Sequence, residues 1–403
     1  MKNDMLSRIA QTSLLGALSI FLVAGCTEST SNTAETKEAA EPMVAGNPAP
    51  RSHSAESVSF YSEGSNSRGP STSSVAPPPP PSSSTVAQTT YQAPPAYTAP
   101  APAVGRLPSY QSEYAVRGRL RSIGSDTMDN MMEDWEKDFK SYHQGILVIH
   151  EGKGSSTAIP ALVEGRSDFG PMSRKVKPTE ADKFQQKFGY DPTSMPVAID
   201  ALAVYVHPEN PIKDRGLSIA ELDAVFSSTR RRGHSTEIIT WGDLGLTGEW
   251  ANKPINVYSR NKASGTYGFF KDEVLNKGEF KTSNRELPGS EDVVRSIEND
   301  QYGIGYSGFG YKTTSVAIAP LSVASGASPV AANEVNAVNG SYPLARNLYL
   351  TINHRPGAAP KPMHAEFIRY VYSDNGQSKV RENGYFPISN LTATQQLAAL
   401  GIQ

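Results

Sequence analysis

Ser259-Arg260-Asn261-Lys262-Ala263-Ser264-Gly265-Thr266 follows an apolar, strand-like run (Ile255, Val257, Tyr258) and opens a helix-like one (Phe269, Phe270, Val274, Leu275). That order makes it a strand-loop-helix junction. Ser, Gly and Thr at a helix N-terminus present hydroxyls and unpaired backbone N–H groups at the positive end of the dipole, and Arg260 stands just upstream with a planar fork of donors. Such a junction suits a tetrahedral oxyanion. The same Ser-Gly-Thr also serves as a plain helix cap, so taken alone the stretch leaves both readings open. Matching junctions elsewhere in the chain would favour the first.

Two more are present. Residues 117–123 alternate as a strand and run into Gly124-Ser125-Asp126-Thr127. Met128, Met131, Met132, Trp135 and Phe139 then fall at i, i+3, i+4, i+7 and i+11, one apolar stripe of a helix and therefore core. Residues 146–149 form a short buried-strand candidate, followed by Glu151-Gly152-Lys153-Gly154-Ser155-Ser156-Thr157 and a short helix through Ile159, Leu162 and Val163. Lys153 is followed by Gly154 rather than by Ser or Thr, so the order of a P-loop is absent and nucleotide phosphate binding is rejected. Asp168-Phe169-Gly170-Pro171-Met172-Ser173-Arg174 reads as another strand end turning into a loop, with a helix over 180–188.

Farther along, the strand-like run 197–206 carries one charge, Asp200, which either faces a cleft at the strand end or is paired inside. Ser218 and Glu221 form a capping-box pattern at the start of a helix over 218–226. Arg230, Arg231 and Arg232 read as an exposed basic turn. A short amphipathic helix spans 290–299, and 303–310 is a strand with close backbone approaches, in which Ser307 lacks the glycine spacing of a nucleophile elbow. Residues 347–352 are a strand, and 365–372 lie in the final long helix. Strands alternating with helices predict an α/β fold with mainly parallel sheets and ligands at the carboxyl ends of strands. Three such helix N-termini converging on one cleft would hold a small oxyanion with no metal or other cofactor.

Composition narrows the function classes. The 403 residues carry 38 Lys+Arg against 40 Asp+Glu, a balance that points to no nucleic-acid partner. The 30 prolines fall heavily between residues 42 and 108, which leaves roughly 290 residues able to bury a core. Residues 26–112, rich in Ser, Thr, Pro and Ala, read as a disordered tether with polyproline II character, ~50 Å in mean reach. Lys2, Arg8 and an apolar run over 14–24 read as an export signal over 1–25, and Val23-Ala24-Gly25-Cys26 resembles a bacterial lipobox, which implies lipidation of Cys26. Cys26 is the only cysteine, so no disulfide can form within the chain. The seven histidines are scattered, with no HExxH, no metal-ligand spacing and no usable Ser/His/Asp arrangement, and this reads as a protein that is not an enzyme.

Taken in order, Gly124-Ser125-Asp126-Thr127, Gly154-Ser155-Ser156, residues 168–174, residues 217–226 with Ile239-Thr240-Trp241, and residues 260–266 resemble the phosphate-binding proteins of ABC transporters (PstS-like, periplasmic-binding-protein type 2). The resemblance covers roughly residues 117–400. It implies two α/β lobes joined by two crossing strands, with residues 113–200 and 340–403 in lobe 1 and 201–339 in lobe 2. Inorganic phosphate would be enclosed between them. Ser125, Thr127, the backbone N–H of Met128, Ser155 and Ser173 would supply one side, and Arg260, Ser264, Gly265 and Thr266 the other. Ser173 stands where several relatives carry an aspartate that accepts the proton of hydrogen phosphate, so Asp126 or Asp200 is expected to take that role. Lys262 replaces a common acidic residue and would make the site more positive. The implied setting is a monomer, held to the membrane through its lipid anchor in the periplasm or at the cell surface, that delivers phosphate to an ABC permease. The alternative is a surface-displayed lipoprotein for phosphate scavenging, sensing or adhesion without a transport role.

Overall fold

The computed structural model describes residues 107–402; the export signal, Cys26 and nearly all of the tether lie outside them. The first half of the described chain runs β1 (Gly118–Gly124), α1 (Asp129–Tyr142), β2 (Ile146–Gly152), α2 (Ala158–Val163), β3 (Gly170–Met172), α3 (Pro178–Phe188) and β4 (Thr193–Val206). It continues through α4 (Ile212–Arg215), β5 (Leu217–Ser218), α5 (Ile219–Phe226), β6 (Asn256–Arg260), α6 (Gly265–Glu273), β7 (Arg285–Leu287), α7 (Ser290–Glu298) and β8 (Gly303–Gly308). The last part holds β9 (Ala317–Ile318), β10 (Leu321–Ser322), α8 (Glu334–Val338), β11 (Ala345–Ile352), α9 (Pro362–Val371), α10 (Asp374–Glu382) and α11 (Asn390–Ala399). The helix expected to be final, α9, is thus followed by two more.

Local pattern accounts for many of these elements. Met128, Met131, Met132, Trp135 and Phe139 are each fully buried, so the apolar stripe of α1 is the face that seats it on the core. Ser218 and Glu221 close a capping box at α5, with Glu221 N–H donating to Ser218 Oγ and Ser218 N–H to Glu221 Oε2. Burying the apolar faces produces two large cores. One gathers side chains such as Leu120, Trp135, Val197, Leu348 and Phe367. The other gathers Leu202, Phe226, Trp241, Phe270 and Leu344. The chain is therefore two-lobed.

Strands β4 and β11 pass between the two cores side by side, antiparallel, with Asp200 directly opposite Arg346. They also alter the sheet from the mainly parallel one expected. β1–β2, β5–β10, β6–β7 and β6–β8 pair parallel, but β4 and β11 make antiparallel pairs with each other and with β8, β9 and β3. Side-chain periodicity within a strand carries no record of its partner's direction, which is set by where the chain returns.

Two boundaries also move. Tyr110 falls in the stretch read as tether, yet it is buried in the first core and donates its hydroxyl to Glu366 at 2.6 Å. Tyr342 and Leu344 lie beyond residue 340 but pack into the second core. A lone aromatic among prolines or in a loop shows no period, and its burial comes from partners distant in sequence.

Beneath the first junction, His150 of β2 bonds Asp129 at 3.0 Å and lies 3.7 Å from Glu136, both on α1. Burial alone would lower the imidazole, but the two carboxylates outweigh it and hold its pKa at about 10. The folded chain keeps this proton up to about pH 10, whereas the unfolded imidazole loses it near pH ~6.5. The stabilisation is therefore full below that lower value and is lost as pH rises from there through the upper one. Melting temperatures followed from neutral to alkaline pH should fall more steeply for the native chain than for His150→Gln. Parallel curves would remove the cluster from the pH response.

Candidate functional site

The three junctions lie against one another, the first two built alike around a 3-10 turn and the third entering its helix directly through a side-chain cap. At the first, β1 ends at Gly124, Ser125 N–H donates to Pro171 O at 2.8 Å, and a single 3-10 turn over Asp126–Met128 leads into α1. Gly124 is required here, since a Cβ would stand 2.2 Å from Pro171 O. Tyr385 donates its hydroxyl to Thr127 O at 2.6 Å, and Tyr311 to Asp126 O at 2.7 Å, so the turn is held from behind. Burial pushes both phenols well above their ordinary value, which keeps them donors.

At the second junction, Gly154 and a 3-10 turn over Ser155–Thr157 precede α2. Ser155 is fully buried, and its Oγ accepts from Ser173 N–H at 3.0 Å and lies 3.3 Å from Ser173 Oγ. Lys153 is exposed and pairs with Glu151 at 2.6 Å, away from these hydroxyls. Arg174 is engaged by both oxygens of Glu180, at 2.8 and 2.6 Å.

At the third, Asn261 Oδ1 accepts from Ala263 N–H at 3.0 Å, and Ser264 Oγ accepts from Thr266 N–H at 3.1 Å. Ser264 therefore caps α6, and the capping reading holds for that oxygen. Gly265 lies against the second junction, because a Cβ on it would stand 2.2 Å from Ser155 Oγ and 2.6 Å from Ser173 Oγ.

The lobes meet through these turns. Thr127 Oγ1 lies 2.8 Å from Thr266 Oγ1, and Ser156 N–H donates to Ala263 O at 3.1 Å. Arg260 is fully buried; its Nη2 is 2.6 Å from Asp126 Oδ2 and donates to Pro288 O at 2.5 Å, while Nη1 donates to Ser290 Oγ at 2.7 Å. Ser290 Oγ in turn donates to Asp126 Oδ2 at 2.9 Å. Three buried polar atoms of this cluster have no hydrogen-bond partner among the described residues: Arg260 Nε, Ser125 Oγ and Asp126 Oδ1. Buried polar atoms are nearly always satisfied, so a donor, a hydroxyl and a carboxylate oxygen left over on adjoining residues mark a place suited to a polar ligand.

Ser125, Thr127, Ser155, Ser173, Arg260, Ser264, Gly265 and Thr266 are thus brought together. Met128 lies beside them, but its N–H donates to Ser125 O at 3.3 Å and its side chain is in the core. Lys262 is exposed and adds charge at the surface rather than among the buried hydroxyls. Of the two aspartates, Asp200 is spent: Oδ2 accepts Arg346 Nε and Nη2 at 2.9 and 2.8 Å, and Oδ1 accepts Phe309 N–H at 2.9 Å. That settles its environment as a buried pair rather than an open strand end.

Arg346 escaped the sequence reading. Its Nη2 also donates to Thr266 Oγ1 at 2.9 Å and its Nη1 to Ser173 O at 3.0 Å, so one crossing-strand guanidinium touches both sides. The available signal was a second lone charge within an apolar strand, matching Asp200. Ser290, Tyr311 and Tyr385 had no local signal. Among the described residues no group of three or more His, Cys, Asp or Glu is placed to hold a metal ion, and no helix is long and apolar enough to cross a membrane.

Comparison with known proteins follows the same lines. A family model described as a PBP superfamily domain matches residues 89–375. The phosphate-binding protein PstS of Pseudomonas aeruginosa is 48% identical over 296 residues, covering 73% of this chain and 91% of that protein. Protein SphX of Synechococcus elongatus is 29% identical over 288 residues, 69% of this chain and 80% of its own length. Among solved structures, an ABC-type phosphate transport receptor from Vibrio cholerae superposes with a TM-score of 0.52 at 19% identity, covering 67% of this chain and all of that one, a likeness of fold. The chain belongs to the PBP superfamily and, within it, to the family of the phosphate-binding protein PstS.

Proposed function

We propose that this chain captures inorganic phosphate between its two lobes and hands it to an ABC permease. The observation that carries the reading is the meeting of hydroxyl-bearing junctions from opposite lobes, Thr127 against Thr266, beside a buried arginine with an unused donor. Ser125, Thr127, Ser155 and Ser173 donate from one lobe, and Arg260, Ser264, Gly265 and Thr266 from the other. Arg346 joins them from the crossing strand. A buried dianion needs most of its oxygens hydrogen-bonded, and this set of hydroxyls, guanidinium and backbone groups is of that kind. Because the donors are divided between lobes, binding favours the closed arrangement, with β4 and β11 as the connection across which closure takes place.

Asp126 is the proton acceptor in this reading. Its Oδ2 is taken by Arg260 and Ser290, while Oδ1 is left to accept the proton of hydrogen phosphate. Sulfate carries no such proton and would face the carboxylate's negative charge, so Asp126 provides the discrimination that Ser173 does not. Phosphate delivery places the protein in the cell envelope; attachment through a lipid on Cys26 and a monomeric state belong to the same proposal.

Titration calorimetry with phosphate and with sulfate tests it. Phosphate should bind and sulfate should not compete at similar concentration; comparable affinities would overturn the selective reading. Thr127→Val removes one hydroxyl and retains the shape, and should weaken phosphate binding by about 1.5 kcal/mol. Unchanged affinity would place the site elsewhere.

A further inference from the structure

On lobe 1, a second cavity of about 390 Å³ opens at the end of β3 remote from the junctions. Ser173 follows the carboxyl end of β3, whereas Asp168 precedes its amino end and lines this cavity together with residues that follow β11. The floor is polar. Arg121 forks onto Asp168, with Nε to Oδ2 and Nη2 to Oδ1 both at 3.0 Å, and His364 Nε2 lies 3.6 Å from Asp168 Oδ1. Against the opposing effect of burial, His364 and Arg121 hold the Asp168 carboxyl well below its usual range, so its charge is already answered within the protein.

What is left over is positive or donating. His354 is only 9% exposed, lines the cavity and has no hydrogen-bond partner among the described residues. Arg355 and Lys361 stand exposed at the rim without an ion-pair partner among the described residues. Lys361 is also the N-cap of α9, a ten-residue helix whose first turn no side chain caps. Leu162, Ala358 and Pro360 supply apolar wall. A volume in the range of about 300–1,000 Å³, with apolar wall and a few convergent polar groups, is that of a small-molecule site and more than a bare oxyanion fills.

We propose that this cavity is a second binding site, separate from the interlobe cleft, for a small organic anion: Arg355 and Lys361 engage its carboxylate or phosphate group, His354 hydrogen-bonds it from below, and the apolar wall covers its carbon body. The site does not depend on phosphate capture in the cleft, since it shares no residue with the junctions.

The test follows the histidine ring signals of the full chain by NMR in separate titrations with citrate, glycerol 3-phosphate and inorganic phosphate, each begun with one equivalent of phosphate to fill the cleft and no excess. The signals of His354 and His364 should move with an organic anion and saturate. Response to citrate alone identifies a carboxylate site, and response to glycerol 3-phosphate alone a phosphomonoester site. In the double variant Arg355→Ala, Lys361→Ala, both positions being exposed and outside the core, about a hundredfold more of the anion should be needed, the equivalent of two lost charge-assisted hydrogen bonds. The phosphate affinity of the cleft should stay as it was. Equal response to inorganic phosphate would overturn the organic class. Silence to every probe, or an unaltered titration in the double variant, would overturn the site.

Discussion

Arg260→Ala is expected to lower the free energy of unfolding by about 3–5 kcal/mol and to remove measurable phosphate binding together. The first effect follows from what stays behind. Asp126 is 7% exposed, and among the described residues its Oδ2 is answered by Arg260 and Ser290 alone. Without the guanidinium a buried carboxylate keeps one hydroxyl for company, and Pro288 O and Ser290 Oγ lose their donor. The second effect follows because the guanidinium is the buried positive group of its lobe's half of the site. Arg260→Lys separates the two: an ammonium can pair with Asp126 but cannot reproduce the fork to Pro288, Ser290 and a ligand. It should restore most of the stability and leave binding at least tenfold weaker, about 1.4 kcal/mol. Chemical denaturation and calorimetry on the three proteins check this, and normal affinity in either variant would remove Arg260 from the site.

Gly265→Ala is expected to leave each lobe intact and to weaken phosphate binding by about 3 kcal/mol, the upper end for overpacking. Gly265 is the first residue of α6, where alanine is the better helix former by about 1 kcal/mol, so the lobe that carries it should not lose stability. The added methyl instead meets the other lobe, 2.2 Å from Ser155 Oγ and 2.8 Å from Ser155 Cβ. Ser155 cannot simply turn away, because Ser173 N–H donates to its Oγ at 3.0 Å. The lobes would be wedged apart. Small-angle scattering should show the native chain contracting when phosphate is added and the variant failing to do so, with an unchanged or raised melting temperature. Contraction and full affinity in the variant would mean that Gly265 and Ser155 do not meet in the bound protein.

These two positions show what each level of description carries. Gly265 and Arg260 were legible as parts of an anion-suited junction because a helix N-terminus is a local object: a strand period, a turn with Ser and Gly, and a helix period within a dozen residues. For the same reason the apolar stripe of α1 and the capping box of α5 could be read directly, and the two-lobed class followed from the junctions through their family resemblance. The role of Ser264 as cap was also local, and the structure keeps it.

What the local pattern could not carry was pairing between distant segments. Asp200 appears in the sequence as an anomalous charge, and only the antiparallel register of β4 with β11 places Arg346 opposite it. Asp126 and Asp200 were both candidate proton acceptors from the sequence; the choice of Asp126 needed the contacts that occupy Asp200 and those by which Arg260 and Ser290, from the other lobe, take one Asp126 oxygen and leave the other. Tyr110 left the tether for the core on the strength of Glu366, 256 positions away. The sequence by itself determined the strands and helices with a clear apolar period and the anion-suited turns between them, because those depend on neighbours within a turn or two of chain; α10 and α11, whose faces are mostly polar or weakly periodic, were not legible in it. The tertiary structure alone decided strand direction, lobe boundaries and which buried charges are already answered, because each depends on where the chain returns.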